Sequence, residues 1–165
     1  MLEPLRTNTI DHAADNAQIW LRAIAAQLDD DVRTAYHALR AVLHIMRDRL
    51  PLPDAVGLGA QLPLLIRGIY YEDWSPHATP SRARHVEEFL GVIERSMADV
   101  TTKLEPQQVV AAVWDQLRVH LAPTDLARVL LCVPPGLRLL LSTAIAGRTS
   151  FGLAPPPVGV GAVCT

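Results

Sequence analysis

The sequence predicts an all-α protein of about eight helices, arranged as two pseudo-symmetric four-helix halves that pack into one bundle-like domain. Two observations predict this fold. Apolar residues recur at alternating spacings of four and three along most of the chain, which places them on one face of successive helices. The pattern of residues 9–74 then returns in residues 84–146, beyond a connector rich in proline and serine at 75–83.

The composition is that of a chain that can bury a core. Half of its 165 residues are apolar and 19% are charged, which is too apolar for disorder. A half of about 70 residues buries its apolar faces poorly alone, so the halves are expected to pack on each other. The terminal residues 1–8 and 148–165 are expected to lie outside that core, with 148–165 as a flexible tail.

Charge and motif content exclude several classes of function. A formal net charge of −2 gives no attraction to nucleic acid, and no apolar run is long enough to span a bilayer. The start of the chain lacks the long apolar region of a secretion signal, so the sequence predicts a cytoplasmic protein with reduced thiols. Cys132, in an apolar run, is predicted to be a buried small hydrophobe, and Cys164 an exposed thiol.

The first half begins with two long helices. A stripe over residues 10–28 predicts the first helix, with Asn8 or Thr9 as its N-cap. The run "DDD" interrupts the stripe and supplies Asp29 or Asp30 as the cap of the second helix, where negative charge is favourable.

Prolines divide the rest of the first half. A second stripe, over residues 32–50, ends at "LPLP", because proline lacks an amide and disfavours helix in the residue before it. Pro53 suits the first turn of a short third helix through Gln61. Pro63 begins a fourth helix, which is expected to run to about Asp73.

The second half repeats this order. A stripe over residues 86–100 predicts its first helix, and Pro106 lies in the first turn of the next. A short helix follows at 127–133, and "PPG" opens a last one through about Ala146.

The repeat serves as an internal control. Trp20 aligns with Phe89 at an offset of 69 residues, and beyond the first loop Arg67 aligns with Arg138 at an offset of 71. Features that occur in both halves are interpreted as architectural. The two aligned arginines are therefore expected to bond either helix-end carbonyls or the opposite half. The other features assigned to corners and packing are Leu50, Asp54, Leu62 and Pro63.

Several residues of the first half have no counterpart in the second, and four of them are candidates for a binding surface. They are Gln61, Tyr70, Tyr71 and Trp74. Two glycines of the third helix, Gly57 and Gly59, are also absent from the second half and predict a close backbone approach. The functional interpretation is a pocket or partner surface, and the structural one is aromatic filling between the halves.

A basic stripe also belongs to the first half alone. Its members follow one another at four-three spacing on the second helix: Arg33, His37, Arg40, His44 and Arg47. Such a stripe could meet phosphates, a carboxylate ligand or an acidic partner. The alternative is a solvated face, partly neutralised by carboxylates such as Asp48, Glu72 or Asp73.

No catalytic template is present in the sequence. It has no glycine-rich phosphate loop, zinc-protease motif or nucleophile elbow. His37 and His44 lie about 10.5 Å apart along a helix axis, too far to share one metal ion. We therefore predict no catalytic residue, no metal site and no cofactor.

Residues 35–74, "AYHALRAVLHIMRDRLPLPDAVGLGAQLPLLIRGIYYEDW", together with "EEFLGVIERSM" at 87–97, resemble a bacterial family known as domain of unknown function 2267. The family pattern contains "LRDRLP", "LGAQLP" and "LLRGIYYEGW". Met46 here takes the place of a leucine, and Asp73 that of a glycine. The resemblance implies a helical bacterial protein whose genes often lie near stress and dormancy genes. It implies no catalytic residue.

Two functions remain open at this stage. The first is a non-enzymatic protein-interaction or stress-associated module that acts through the first half, with a protein partner or a second copy of the chain. The second is a small-molecule or metal-binding protein, with enzymatic activity as an option, that has a pocket between the halves lined by Arg67 or a histidine.

Overall fold

The computed structural model describes residues 3–78 and 85–146, which form eight α-helices and one 3-10 turn with no β-strand among them. The all-α prediction is confirmed. The helices are α1 (Glu3–Leu28), α2 (Val32–Arg47), α3 (Leu52–Gln61), α4 (Leu64–Tyr71), α5 (Val86–Ser96), α6 (Pro106–His120), α7 (Pro123–Cys132) and α8 (Pro135–Ala146), with the 3-10 turn at Pro76–Ala78.

The ends of the first two helices differ from the prediction. α1 already begins at Glu3, so Asn8 and Thr9 lie inside the helix. The amide of Thr34 donates to the Asp31 carboxylate at 2.7 Å, which makes Asp31 the N-cap of α2. Asp29 cannot serve as that cap because its φ of 53° is left-handed and closes the end of α1.

Three other helix ends also differ. α4 ends at Tyr71 rather than near Asp73. α5 ends at Ser96, so Val100 lies in the loop that follows. α7 begins at Pro123, because proline is well suited to the first turn of a helix.

The core joins the two halves. α1 contacts α6 and α5 contacts α2, so the first helix of each half packs on the second helix of the other. α2 and α6 also contact each other, and α3 contacts α7. The largest fully buried side chains come from both halves, among them Trp20, Phe89 and Trp114. Each half therefore completes the apolar burial of the other, as its small size requires.

Two ring contacts between the halves occupy aligned positions. The His120 ring stacks on the indole of Trp20, with centroids 4.5 Å apart. The guanidinium of Arg49 lies over the Phe89 ring at 4.9 Å. Burial lowers the pKa of His120. These paired contacts agree with the predicted duplication, while a two-fold relation of the complete halves stays a prediction.

The corner arginines make the same bonds in both halves. Arg67 donates to two carbonyls at the end of α3, at 3.1 and 3.2 Å. Arg138 donates to two carbonyls at the end of α7, at 2.6 and 2.8 Å. The acceptors are Ala60 and Leu62 in the first half and Leu131 and Val133 in the second. The helix-end alternative predicted for these arginines is therefore confirmed, and it explains why both halves need them.

Some predictions fall outside the described residues. These are the C-terminal tail at 148–165 with Cys164, residues 79–83 of the connector, and the side chain of Cys132. The division into two repeats at 9–74 and 84–146 likewise stays a prediction.

Candidate functional site

Three members of the basic stripe bind the end of α4, and we call Arg40, His44 and Arg47 the basic anchor. Arg47 carries most of it and is only 3% exposed. Its Nη1 donates to the carbonyls of Tyr70 and Glu72, at 2.5 and 2.9 Å. Nη1 of Arg47 is thus committed to two main-chain carbonyls of the protein itself.

Two further contacts complete the setting of Arg47. Its Nε donates to the Asp48 carboxylate at 2.8 Å, which neutralises its charge. Its guanidinium carbon lies 5.9 Å from the centroid of the Trp74 ring, within the range of a cation–π contact.

The other two anchor residues extend this contact along α2. Nε2 of His44 lies 2.7 Å from the carbonyl oxygen of Ile69. A carbonyl only accepts, so this nitrogen carries the hydrogen. Arg40 donates from Nε to the Glu72 carboxylate at 2.5 Å, and Nη2 lies 3.4 Å from Asp73. The bond from Arg40 holds the pKa of the Glu72 carboxyl below its ordinary value.

The basic anchor explains why α4 is short. The last carbonyls of a helix have no partner inside it, and cations near this end are favoured by the helix dipole. Here α2 supplies those cations, and Asp73 turns the chain away with a φ of 53°. The second half has Ala111 and Asp115 at the positions of Arg40 and His44, and its last helix, α8, continues to Ala146.

The interpretation of the stripe as a solvated face is therefore wrong for Arg47. The predicted neutralisation by Asp48, Glu72 and Asp73 is confirmed. The remaining two members lie outside the anchor, so the stripe is not one surface. They are Arg33, which is exposed beside a cavity of about 80 Å³, and His37, which is half-buried with its ring 5.5 Å from that of Tyr36.

We expect the protein to lose stability as the pH falls below about 6.5. Burial lowers the pKa of His44, and the nearby cations Arg47 and Arg40 lower it further. The bond to Ile69 and the charge of Asp48 raise it, but the net effect is a lowered pKa. Its pKa is thus lower in the folded than in the unfolded chain, so the unfolded chain binds the extra proton first and acid favours unfolding. One histidine contributes at most about 1.4 kcal/mol per pH unit.

Urea unfolding between pH 8 and pH 5 measures this effect. Replacing His44 with glutamine, which keeps a donor but does not titrate, is expected to flatten the slope. An unchanged slope in His44→Gln would assign the pH dependence to other groups, such as His120, whose pKa is lowered as well.

The candidate aromatics tie α4 to its neighbours in the same half. Tyr70 is fully buried and its hydroxyl donates to the carbonyl of Ala55 at 2.8 Å, and burial raises the pKa of that hydroxyl. Tyr71 and Trp74 are half-buried, with ring centroids 5.3 Å apart. Tyr70 is therefore a core residue, but its hydrogen bond lies within the first half rather than between the halves.

The predicted close approach at the α3 glycines is confirmed for Gly59 only. A Cβ at Gly59 would overlap the Tyr71 hydroxyl and lie 2.6 Å from the ring carbon that bears it. At Gly57 a Cβ would meet nothing within 4 Å, so that glycine serves no close contact. The last candidate, Gln61, is exposed at the end of α3, between the two residues whose carbonyls accept from Arg67.

An exposed apolar surface on α3 and α4 escaped the sequence analysis. Leu64 and Leu65 are 58% and 44% exposed on the outside of α4, and Leu52 and Val56 of α3 are also exposed. In α4 the helical spacing of the sequence already indicates this surface, because Leu64 lies on the side of the helix opposite its buried face. We call this surface, with Gly68 and Tyr71, the outer face of α4.

A cleft between the halves was predicted only in general terms. It lies between α2 and α5 and has a volume of about 300 Å³. Its lining side chains are those of Arg40, Ala41, His44, Ile45, Asp48, Arg49, Val92 and Ser96. His44 is among those side chains, whereas Arg67 is not. A second cavity, of about 440 Å³, lies between α5 and α6 beneath the loop at 97–105.

Within residues 3–78 and 85–146, no three His, Cys, Asp or Glu side chains lie close enough together to hold a metal ion. In the same ranges, no helix combines the length and the hydrophobicity that crossing a bilayer requires.

The family comparison confirms the resemblance seen in the sequence. Residues 7–140 match the family model described as "Uncharacterized conserved protein (DUF2267)". The chain belongs to this family. No curated protein matches the sequence. In this DUF2267 protein, the matched segment includes the basic anchor, the outer face of α4 and the cleft between α2 and α5.

Proposed function

We propose that this DUF2267 protein is a non-enzymatic protein-interaction module that binds its partner through the outer face of α4. The observation that carries the proposal is the concentration of exposed aliphatic side chains there. Leu64 and Leu65 are consecutive exposed residues of α4. Val56 is exposed on α3, where its carbonyl oxygen lies 3.4 Å from the hydroxyl of Tyr71. Contiguous apolar surface of this kind is typical of protein interfaces.

The shape of this face suits a helix of the partner. Leu64, Gly68 and Tyr71 follow at helical spacing on one side of α4. A Cβ at Gly68 would meet nothing within 4 Å, so the glycine leaves a gap in the middle of the apolar side chains. A side chain on an amphipathic partner helix can enter such a gap, as knobs enter holes in helix packing.

The basic anchor gives this face a fixed position. Arg47 and His44 hold the carbonyls at the end of α4, and Tyr70 bonds the helix to α3. A surface that is ordered before binding loses less conformational entropy when the partner binds. Arg47, His44 and Tyr70, which the sequence predicted as part of the binding surface, would thus support the interface from behind. Tyr71 and Trp74 would form its rim.

Photo-crosslinking tests the proposal in the cells that produce the protein. Benzoylphenylalanine at Leu64 is expected to capture a discrete partner, or a second copy of the chain. The matched control is the same amino acid at Ile19, which is equally exposed at 58% but lies on α1. Equal adducts at both positions would contradict a specific interface.

A second variant separates binding from folding. Gly68→Lys fills the gap and is expected to reduce the Leu64 adduct at least tenfold. Lysine is favoured over glycine in a helix by up to about 1 kcal/mol, so thermal stability should be kept or raised. Persistence of the adduct in a folded Gly68→Lys protein would rule out α4 as the docking element. Sedimentation velocity of the purified protein distinguishes a second copy from another protein.

The family resemblance adds a stress-associated role to this proposal, which stays a prediction. A second function, binding of a small molecule between the halves, is favoured by one observation. The cleft between α2 and α5 is formed by one helix from each half and has a histidine in its lining.

A further inference from the structure

The loop between α5 and α6 is longer than its counterpart in the first half. Residues 29–31 join α1 to α2, whereas residues 97–105 join α5 to α6. A cavity of about 440 Å³ lies beneath this longer loop, and its volume falls within the range of small-molecule sites. A long loop that belongs to one half alone is not required by the common architecture. The α5–α6 cavity is therefore a candidate for a function of its own.

The inside of the α5–α6 cavity is apolar. Its most buried lining residues, Ile93 and Val109, belong to α5 and α6. Met97 and Leu104 are half-buried and also line it, and an unbranched methionine adapts to ligands of different shapes. The start of the loop is held by turns, in which the amide of Val100 donates to the Met97 carbonyl at 3.0 Å. An apolar chain can thus be buried between the two helices.

The rim of the cavity carries an excess of carboxylates. Glu94 and Glu105 are exposed lining residues, and Lys103 is the single cation of the lining. Glu105 is the N-cap of α6, yet its side chain makes no capping hydrogen bond, whereas the N-cap of α2, Asp31, binds an amide of its own helix. Among the residues that the structure describes, neither glutamate forms an ion pair. Both carboxylates are therefore available to a ligand.

A smaller cavity next to the rim adds negative charge. It has a volume of about 80 Å³ and shares residues 100–102 with the larger one. Its lining contains one cation, Arg33, against three aspartates, Asp30, Asp31 and Asp99. The two linings together hold five carboxylates and two cations. Such an imbalance in neighbouring clefts attracts a positively charged ligand.

The hydrogen-bonding groups of the rim also suit a cation. Besides the two glutamates, the rim presents the exposed hydroxyls of Thr101 and Thr102. Carboxylates only accept and hydroxyls can accept, whereas an ammonium group donates three hydrogens and accepts none. An anionic ligand would instead meet two like charges and find Lys103 as the one cation of this lining.

We propose that the α5–α6 cavity binds a small amphiphilic cation, namely a primary ammonium group on an aliphatic chain. The ammonium contacts the carboxylates of Glu94 and Glu105 at the rim, and the chain packs on Ile93, Met97 and Val109. This inference is independent of the outer face of α4 and of the α2–α5 cleft, because the cavity shares no lining residue with either.

Titration with a matched series of hexyl compounds tests the ligand class. Hexylamine, hexanol and hexanoate have chains of the same kind and differ in the charge of the head group. They are added to the full chain and followed by calorimetry and by NMR shifts of methyl groups. Hexylamine is expected to bind about fivefold more tightly than hexanol, with hexanoate the weakest, because two exposed carboxylates attract the ammonium. The methyls of Ile93, Met97 and Val109 are expected to shift.

Other results would contradict the proposal in distinguishable ways. Equal binding of hexylamine and hexanol would overturn the cationic ligand class, and tighter binding of hexanoate would reverse it. No binding of any probe up to about 10 mM would overturn the site itself. Shifts confined to the Ile45 and Val92 methyls would place the ligand in the α2–α5 cleft, which would favour the second proposed function instead.

Charge variants at the rim locate the ammonium group. Glu94→Gln and Glu105→Gln are each expected to weaken hexylamine binding about threefold, and Lys103→Gln to strengthen it about threefold, with little change for hexanol. All three residues are exposed, so these variants should fold. The matched control is Glu88→Gln, which removes an exposed carboxylate of α5 outside the cavity and should leave the affinity unchanged. Equal losses in Glu88→Gln and Glu94→Gln would assign the effect to the net charge of the protein and contradict a specific site.

Discussion

Replacing Arg47 with alanine is expected to lower the free energy of unfolding by about 3–5 kcal/mol, one of the largest effects of any single substitution in this chain. The variant removes a buried cation together with its bonds to the carbonyls of Tyr70 and Glu72. Two buried or half-buried carbonyls then lose a charged donor, and the Asp48 carboxylate loses its ion pair. Urea unfolding measures the loss.

The second half offers a matched control for this substitution. Arg118 aligns with Arg47, but it is half-buried and bonds Asp115 on its own helix at 3.3 Å. Asp115 is buried, so Arg118→Ala is expected to cost about 1–2 kcal/mol, which is still less than the loss in Arg47→Ala. Equal losses in the two variants would mean that the basic anchor does not stabilise the end of α4.

Geometry at Arg47 matters in addition to charge. Arg47→Lys keeps the charge, but an ammonium cannot reproduce a planar fork that reaches two carbonyls and a carboxylate. We expect this variant to retain less than half of the lost stability. It should also weaken crosslinking at Leu64, because α4 would be less firmly positioned.

Truncation of either aromatic between the halves is expected to destabilise the whole protein by about 3–5 kcal/mol. Trp20 and Phe89 are both fully buried, and each is covered by a residue of the opposite half, His120 and Arg49 respectively. Trp20→Ala and Phe89→Ala should therefore lower stability by similar amounts, and unfolding should remain a single transition with an unchanged urea slope.

The neighbouring residue Ile19 provides the control, because it is 58% exposed on the same helix as Trp20. Ile19→Ala is expected to change stability by less than about 0.5 kcal/mol. Two separate transitions in Trp20→Ala, with the second half unfolding as in the parent, would contradict a single cooperative domain.

Local physical rules were enough to predict the architecture. Proline and the four-three spacing of apolar residues act within a few residues of chain, so they marked most of the eight helices. The offset between the halves also predicted the common role of Arg67 and Arg138. Among the boundaries that were wrong, those at Asp31 and Tyr71 depend on which of several similar residues the folded chain uses.

The candidate site was less predictable, and Arg47 shows why. Sequence placed it on a basic stripe that could equally face solvent or a ligand, whereas the structure buries it against carbonyls 23 and 25 residues away. Gly57 and Gly59 make the same point, because only the second lies under a tyrosine ring. Such contacts join distant segments, and a spacing pattern does not encode them.

By itself, the sequence determined that this protein is helical and where most of its helices lie, and it predicted that two halves share one pattern. Those properties follow from backbone hydrogen bonding and from apolar periodicity, which are local. Only the tertiary structure decided that the basic anchor holds α4, that α4 presents Leu64 and Gly68 outward, and that a cleft lies between α2 and α5. Burial and charge pairing depend on which helices meet, and that is settled when the two halves pack together.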